Sequence, residues 1–245
     1  MPLIRHGVIL EMRAVIFDLD GVLVKFNIDS LRIKEDVIAY FESQGFPSGV
    51  LKPSQSFSTI KATVETHFLG KGMSRPEVTG ILRRGEAMAV DHEIRAARSA
   101  SLLPGVKETI KALKEGGIKC AIFTYNNSKA VKTVLERHCL EGCFDAVVSR
   151  DQTENPKPSP LHLKKVLDLL NIGTGEALVV GDSEMDIKPS KELGVKVAGI
   201  TTGIRSEEEL RAFEPDYLIN SLPEILEILA TLPQEPDHES KPEDT

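Results

Sequence analysis

The chain has 245 residues and is acidic, with 30 Lys and Arg against 37 Asp and Glu, which is a formal net charge of −7. Its hydrophobic fraction of 41% and charged fraction of 27% are ordinary for a folded protein and exclude a collagenous, fibrous or largely disordered chain. The sequence has no cluster of basic residues that would bind a nucleic-acid backbone, and no apolar run long enough to cross a bilayer. We therefore expect neither nucleic acid nor a membrane as a partner. Three cysteines are too few for a disulfide framework, and we expect a cytoplasmic protein.

The two ends of the chain differ from the rest. Residues 1–12 form an N-terminal extension with neither a helix-capping signal nor a clean period. Two interpretations stay open: translation starts at Met12 in the cell, or Leu3–Leu10 adds an edge strand. At the other end, residues 233–245 are acidic, rich in Pro and free of aromatic residues, which is typical of a disordered tail.

From Arg13 onward, short apolar runs alternate with helical patterns. The runs are rich in Val, Ile and Ala without polar alternation, as expected for strands buried on both faces of a parallel sheet: Ala14–Phe17, Ile118–Thr124, Phe144–Val148, Ala177–Gly181 and Val195–Ile200. The predicted helices of this part are Val106–Glu115, Ser128–His138, Leu161–Leu170, Glu184–Leu193 and Leu222–Leu232. This order predicts an α/β fold with a doubly wound parallel sheet, similar to a Rossmann core.

Residues 25–101 interrupt the alternation. They contain no convincing strand but three helical patterns, Ser30–Gln44, Ser56–Leu69 and Arg75–Ala100. A normal βαβ crossover is far shorter, so we predict an inserted all-α cap domain over the carboxyl ends of the strands, where open α/β sheets bind ligands. The predicted division is an α/β core of residues 13–24 and 102–232 and a helical cap of residues 25–101.

Acidic residues follow two of the predicted strands. Asp18 and Asp20 come directly after Ala14–Phe17, and Asp182 and Asp186 come after Ala177–Gly181. If these two strands are neighbours, the four carboxylates converge at one edge of the sheet. Carboxylates at close range repel one another, so this convergence predicts a divalent cation.

Two other strand ends carry groups suited to an anion. Thr124, Tyr125 and Asn126 join a strand to a helix, where a hydroxyl and backbone amides can hold a phosphate. Lys157 lies in a turn stiffened by three prolines, which restricts where its ammonium group can go. Carboxylates with a metal on one side, and a hydroxyl, amides and a lysine on the other, indicate a phosphoryl-transfer site.

These motifs resemble the haloacid dehalogenase superfamily of phosphatases, and in particular its phosphoglycolate-phosphatase-like branch, which has a helical cap after the first motif. The first motif corresponds to residues 18–22, the second to Thr124, the third to Lys157, and the fourth to Gly181, Asp182, Ser183 and Asp186. All four occur in order, each at a strand end or in the loop that follows, and the resemblance covers Arg13 to about Leu232.

The resemblance implies a role for each matching residue. Asp18 would be the nucleophile, and Asp20 would protonate the leaving oxygen and then activate water. Thr124 and Lys157 would hold phosphoryl oxygens. Tyr125 and Asn126 are candidate phosphate-binding residues from their place in the same loop rather than from the resemblance. Mg²⁺ would be bound by Asp18, the backbone carbonyl of Asp20, Asp182 and Asp186.

The expected activity is therefore hydrolysis of a small phosphorylated metabolite such as phosphoglycolate or a sugar phosphate. Tyr125, and the stretch Val24–Asn27, depart from the commonest family pattern at positions that bear on the substrate rather than on the chemistry. A phosphomutase of the β-phosphoglucomutase type is the alternative, and a binding protein that kept the fold without catalysis is a third. The oligomeric state and the physiological substrate are not predicted.

Overall fold

The structure is a computed structural model, and it describes residues 12–25 and 29–232. The predictions of a start at Met12, of an edge strand at Leu3–Leu10 and of a disordered tail concern residues outside this described part. In chain order the strands are β1 (Ala14–Phe17), β2 (Val24–Lys25), β3 (Ser101–Leu102), β4 (Lys119–Phe123), β5 (Ala146–Val148), β6 (Ala177–Gly181), β7 (Lys196–Ile200) and β8 (Tyr217–Ile219).

The helices account for most of the remaining described chain. They are α1 (Ser30–Ser43), α2 (Phe57–Gly70), α3 (Arg75–Ser99), α4 (Val106–Glu115), α5 (Ser128–His138), α6 (Pro160–Leu170), α7 (Glu184–Leu193), α8 (Glu207–Ala212) and α9 (Glu224–Thr231). Two short 3-10 helices lie at Arg150–Gln152 and Thr174–Glu176.

Six strands form one parallel sheet in the order β5-β4-β1-β6-β7-β8. The central strand β1 is buried along its whole length, and its last residue, Phe17, lies opposite Ile122 of β4 and Val180 of β6. The chain therefore leaves β1, β4 and β6 at the same edge of the sheet. Because the strand order reverses at β1, this edge is the crevice where a doubly wound sheet binds its ligand. The predicted α/β fold class with a parallel sheet is confirmed.

The described residues divide into two compact units, each with its own apolar core. The first consists of residues 12–25, 102–125 and 140–232 and contains the six-stranded sheet. The second consists of residues 29–101 and 126–139, that is, helices α1, α2, α3 and α5. Helix α5 belongs to this second unit, whereas the division predicted from the sequence places it in the core. That division remains a prediction.

The core of the second unit depends on a close approach of two helices. Gly85 of α3 faces Phe41 of α1, and a Cβ atom at Gly85 would lie 2.6 Å from the Phe41 ring. Phe41 itself has no exposed surface. The absent side chain of Gly85 is therefore what lets the aromatic ring pack against helix α3.

Most predicted elements are confirmed to within one or two residues, and the sequence missed some short ones. The predicted helices Ser30–Gln44, Ser56–Leu69 and Arg75–Ala100 correspond to α1, α2 and α3, and five other elements match to the residue. The last helix starts at Glu224 rather than Leu222, because Pro223 occupies the position before its first turn. Helix α8 has six residues and strand β8 three, too few for a hydrophobic period to identify them.

Candidate active site

Three buried carboxylates meet at the carboxyl edge of the sheet. Asp18 directly follows β1, Asp182 directly follows β6, and Asp186 lies in the first turn of α7. Their exposed fractions are 8%, 4% and 1%. Each offers one carboxylate oxygen such that the three oxygens lie within 4.8 Å of one another. This follows from the pairing of β1 with β6, in which the backbone N–H of Asp18 donates to the Val180 carbonyl at 2.9 Å.

Glycines keep the space around these carboxylates open. Gly21 has a φ of +79°, and a Cβ atom there would lie 2.5 Å from an Asp182 carboxylate oxygen. A Cβ at Gly203 would overlap the same carboxylate, and one at Gly181 would overlap the side chain of Asp186. The backbone can therefore approach both carboxylates only where there is no side chain.

The ammonium group of Lys157 neutralises part of this negative charge. Its Nζ donates to Oδ1 of Asp18 at 2.8 Å and also to Oδ1 of Asp186. It lies 4.1 Å from the centre of the Phe123 ring, an arrangement that favours a cation. Burial acts to lower the pKa of Lys157, but the charges of Asp18 and Asp186 and the hydrogen bonds to them outweigh it, so the pKa is raised. The pairing with Asp18 and Asp186 therefore favours the charged form of the lysine.

The remaining carboxylates are held at an electrostatic cost. Burial, followed by the charges of Asp18 and Asp186, raises the pKa of Asp182. Burial also raises the pKa of Asp186, although Lys157 opposes that shift. Three buried carboxylates thus lie together, and the one ammonium group beside them contacts only Asp18 and Asp186. An oxygen-rich, negatively charged group of this kind fits a hard divalent cation such as Mg²⁺.

Asp20 lies in the turn after β1 and is less buried than Asp18. Its charge adds a small contribution to the raised pKa of Asp182, after burial and the charges of Asp18 and Asp186. The side chain of Asp20 is not among the three clustered carboxylates. The turn itself is closed by a hydrogen bond from the Gly21 N–H to the Val24 carbonyl at 2.8 Å.

The predicted phosphate-binding residues lie at the end of the neighbouring strand. Thr124 follows β4, is 1% exposed and donates its backbone N–H to the Val148 carbonyl at 3.2 Å. Tyr125 is 42% exposed, and the guanidinium of Arg150 lies over its ring and donates to its carbonyl at 2.9 Å. Asn126 begins the segment 126–139 of the second unit. Thr124 and Tyr125 therefore share the first unit with the carboxylates and Lys157, and Asn126 does not.

The loop after β7 supports the carboxylate cluster, although no motif of the sequence marks it as part of the site. The Thr202 hydroxyl donates to the Gly21 carbonyl at 2.6 Å, and the backbone N–H of Ile204 donates to Oδ2 of Asp182 at 2.7 Å. Arg205 then binds both carboxylate oxygens of Glu184, at 2.7 and 2.8 Å. The only sequence signal was a Thr-Thr-Gly turn directly after a buried strand, at the same edge of the sheet.

No helix in the described part of the chain combines the length and the apolar character that a membrane span requires.

Comparison with known proteins places the chain among hydrolases. Residues 15–200 match the family model described as haloacid dehalogenase-like hydrolase. Pyrophosphatase PpaX of Halalkalibacterium halodurans is 30% identical over 236 residues, which are 90% of this chain and 98% of that protein. Phosphoglycolate phosphatase of Vibrio vulnificus strain YJ016 is 30% identical over 226 residues, 89% of this chain and 96% of that protein.

Solved structures show the same fold. A predicted phosphoglycolate phosphatase from Haemophilus somnus superposes with a TM-score of 0.63 at 21% identity, over 91% of this chain and 99% of its own. A chain from Thermotoga maritima, provisionally assigned as a β-phosphoglucomutase, has a TM-score of 0.58 at 25% identity. The match covers 89% of this chain and 99% of that chain. The resemblance drawn from the motifs and the expected class of enzyme are confirmed. The chain belongs to the haloacid dehalogenase-like hydrolase family.

Proposed function

We propose that this protein is a Mg²⁺-dependent phosphatase that hydrolyses a small phosphomonoester through a phosphoryl group carried on Asp18. The observation that carries the proposal is the buried set of three carboxylates at the ligand-binding edge of the sheet, two of which, Asp18 and Asp186, are bridged by Lys157. The relatives named phosphatase and pyrophosphatase, which match nearly the whole chain, support the same class of reaction.

Asp18, the carbonyl of Asp20, Asp182 and Asp186 would hold the Mg²⁺. The ion, when bound, offsets the negative charges of phosphate and carboxylate so that the two can approach. Lys157 and Thr124 would bind oxygens of the transferring phosphoryl group. Lys157 is suited to this because its ammonium group lies beside Asp18, where Nζ is 2.8 Å from Oδ1.

In the first step, a carboxylate oxygen of Asp18 attacks phosphorus, and the bond to the ester oxygen breaks. The carboxylic acid of Asp20 gives its proton to that departing oxygen, which leaves as an alcohol. In the second step, the carboxylate of Asp20 takes a proton from water, and the resulting hydroxide attacks phosphorus. Inorganic phosphate leaves, and Asp18 is restored as a carboxylate.

The cap division predicted from the sequence suits this cycle, because exclusion of bulk water from the leaving group requires a cover over the site. The three free cysteines suit a cytoplasmic place of action. The names of the relatives make two compounds candidate substrates: phosphoglycolate, which is a monoester, and pyrophosphate, an anhydride from which phosphate rather than an alcohol would depart. Sugar phosphates are a third class.

The test is phosphate release from these three classes and from a generic aryl phosphate, with Mg²⁺ and with EDTA. We expect release only with the metal, and loss of release in Asp18→Asn, which is nearly isosteric. Asp168→Asn, at an exposed carboxylate of α6, is the matched control and should keep wild-type turnover. Metal-independent release, or a fully active Asp18→Asn, would exclude the proposed reaction.

The likeness to the Thermotoga maritima chain favours one second candidate, a phosphomutase. In that case the phosphoryl group on Asp18 returns to a sugar hydroxyl rather than to water. Isomerisation of a sugar monophosphate that depends on a catalytic amount of the bisphosphate, with little free phosphate, would identify it.

A further inference from the structure

One fully buried imidazole lies beside the site but takes no part in the proposed reaction. His162 is in the first turn of α6 and has no exposed surface. Its position in the sequence, five residues after Lys157 and within an apolar helix face, gave no sign of a role. Both of its ring nitrogens have backbone partners close to the site.

The partners of His162 determine its protonation. Nδ1 lies 3.0 Å from the backbone nitrogen of Lys157, and Nε2 lies 3.1 Å from the Val148 carbonyl oxygen. The Lys157 N–H can only donate and the Val148 carbonyl can only accept. Nδ1 must therefore be unprotonated, while Nε2 carries the hydrogen that is donated to Val148. Burial lowers the pKa of His162 to about 4, in agreement with a neutral ring.

The hydrogen bond to Lys157 is important because of the surrounding prolines. Lys157 stands between Pro156 and Pro158, and neither proline has a backbone N–H. The Lys157 N–H is thus the single backbone donor of this tripeptide, and His162 accepts it. The imidazole connects the turn that carries the catalytic ammonium group to Val148, the last residue of β5.

The ring of His162 also packs against the residue that flanks the ammonium group. Its centre lies 4.7 Å from that of Phe123, with the two planes at 71°, and the same Phe123 ring lies under Nζ of Lys157. The backbone of Lys157 is therefore bound by His162 itself, and its ammonium group lies over a ring that contacts His162. Phe123 is the last residue of β4 and Val148 the last of β5, so Lys157 is connected through His162 to the ends of two strands.

We propose that His162 is a positioning residue that fixes Lys157 for phosphoryl binding, by accepting the Lys157 backbone N–H while donating to the Val148 carbonyl. This inference rests on the proposed function, because it assumes that Lys157 binds the transferring phosphoryl group. A lysine side chain is long and flexible, so a displaced backbone at Lys157 changes the position from which its ammonium group reaches Asp18, Asp186 and the phosphoryl group. A shift of about 1 Å in such a group can lower the rate about 100-fold.

The test compares three exchanges that separate the two hydrogen bonds. His162→Asn can keep an acceptor near the position of Nδ1, His162→Gln can keep a donor near that of Nε2, and His162→Phe keeps the ring volume without either. We expect kcat/KM on an aryl phosphate to fall about 100-fold in the Gln and Phe variants and about 10-fold or less in the Asn variant. His138→Phe is the control, since His138 also bonds a backbone carbonyl, that of Ala100 at 3.0 Å, and should leave kcat/KM unchanged.

A second readout separates positioning from general loss of stability. In the Gln and Phe variants the inhibition constant of inorganic phosphate should rise, while the Mg²⁺ concentration for half-maximal activity should stay at the wild-type value. Rates are expressed per folded enzyme, with the folded fraction taken from circular dichroism and a melting curve. In the wild type, the ¹⁵N chemical shifts of the His162 ring should show the Nε2–H tautomer. If all three folded variants kept the kcat/KM and phosphate affinity of the wild type, the inference would be overturned and the proposed function left intact. The Nδ1–H tautomer in the wild type would have the same consequence. A wild-type protein without metal-dependent hydrolysis would overturn both.

Discussion

Removal of one buried charge should stabilise the metal-free protein while it abolishes catalysis. Asp182 is 4% exposed, and burial together with Asp18 and Asp186 raises its pKa. Because each unit by which a folded-state pKa departs from the unfolded value is worth about 1.4 kcal/mol, the folded protein holds this carboxyl at a substantial cost near neutral pH. An asparagine has nearly the same volume and can still accept the Ile204 N–H, which donates to Asp182 at 2.7 Å.

We therefore expect Asp182→Asn to raise the free energy of unfolding of the metal-free protein by about 2 kcal/mol, or the melting temperature by about 4–8 °C. A raised carboxyl pKa subtracts stability progressively as the pH rises from the ordinary carboxyl range through the folded-state value. The difference in free energy of unfolding between Asp182→Asn and the wild type should accordingly become smaller at acid pH. Mg²⁺ should stabilise the wild type and have little effect on the variant.

The assay is a melting curve for both proteins in EDTA and in Mg²⁺, at acid and at neutral pH. Asp168→Asn removes an exposed carboxylate that pairs with Lys164, and should change the stability by no more than about 0.5 kcal/mol. An Asp182→Asn variant that is less stable than the wild type in EDTA would refute the reasoning. An Asp168→Asn control that gains as much stability as Asp182→Asn would also refute it.

Two further predictions concern glycines. Gly85→Ala should lower the free energy of unfolding by about 1–3 kcal/mol, because its Cβ would meet the Phe41 ring at 2.6 Å, whereas Gly80→Ala in the same helix has open space and should raise it by about 0.5–1 kcal/mol. Urea titrations of both variants give this comparison, and equal effects would contradict it. Gly203→Ala should push the Asp182 carboxylate from its place and raise the Mg²⁺ concentration needed for half-maximal phosphate release by about 10-fold or more. An unchanged metal requirement would show that this close approach does not position Asp182.

The parts of the fold and the site that could be predicted from the sequence are those with a local signal. An apolar run that ends in polar residues identifies both a buried strand and its ligand-binding end. For this reason Asp18 and Asp182 could be expected to meet once β1 and β6 were taken as neighbours. Asp186 could be placed because it lies in the first turn of the helix that follows.

The supporting contacts could not be predicted, because they join distant residues through backbone atoms. Thr202 and Gly21 are 181 residues apart, and the bond between them uses a carbonyl that every residue has. The partners of His162 are nearer in the chain but are likewise backbone groups, the N–H of Lys157 and the carbonyl of Val148. Such contacts depend on how the strand ends and loops lie in space, and no residue type at a fixed spacing reports them.

The most direct test of the account is to trap the phosphoryl group on Asp18. In Asp20→Asn, an aryl phosphate with a good leaving group can still transfer its phosphoryl group, because the departing oxygen needs no proton, but water is no longer activated. Mixed rapidly with excess substrate and Mg²⁺, this variant should release one equivalent of the aryl alcohol in a burst and then turn over slowly. Mass spectrometry of the quenched protein should place one phosphoryl group on Asp18. Steady release without a burst, or a phosphoryl group on another residue, would contradict the role of Asp18 as the nucleophile.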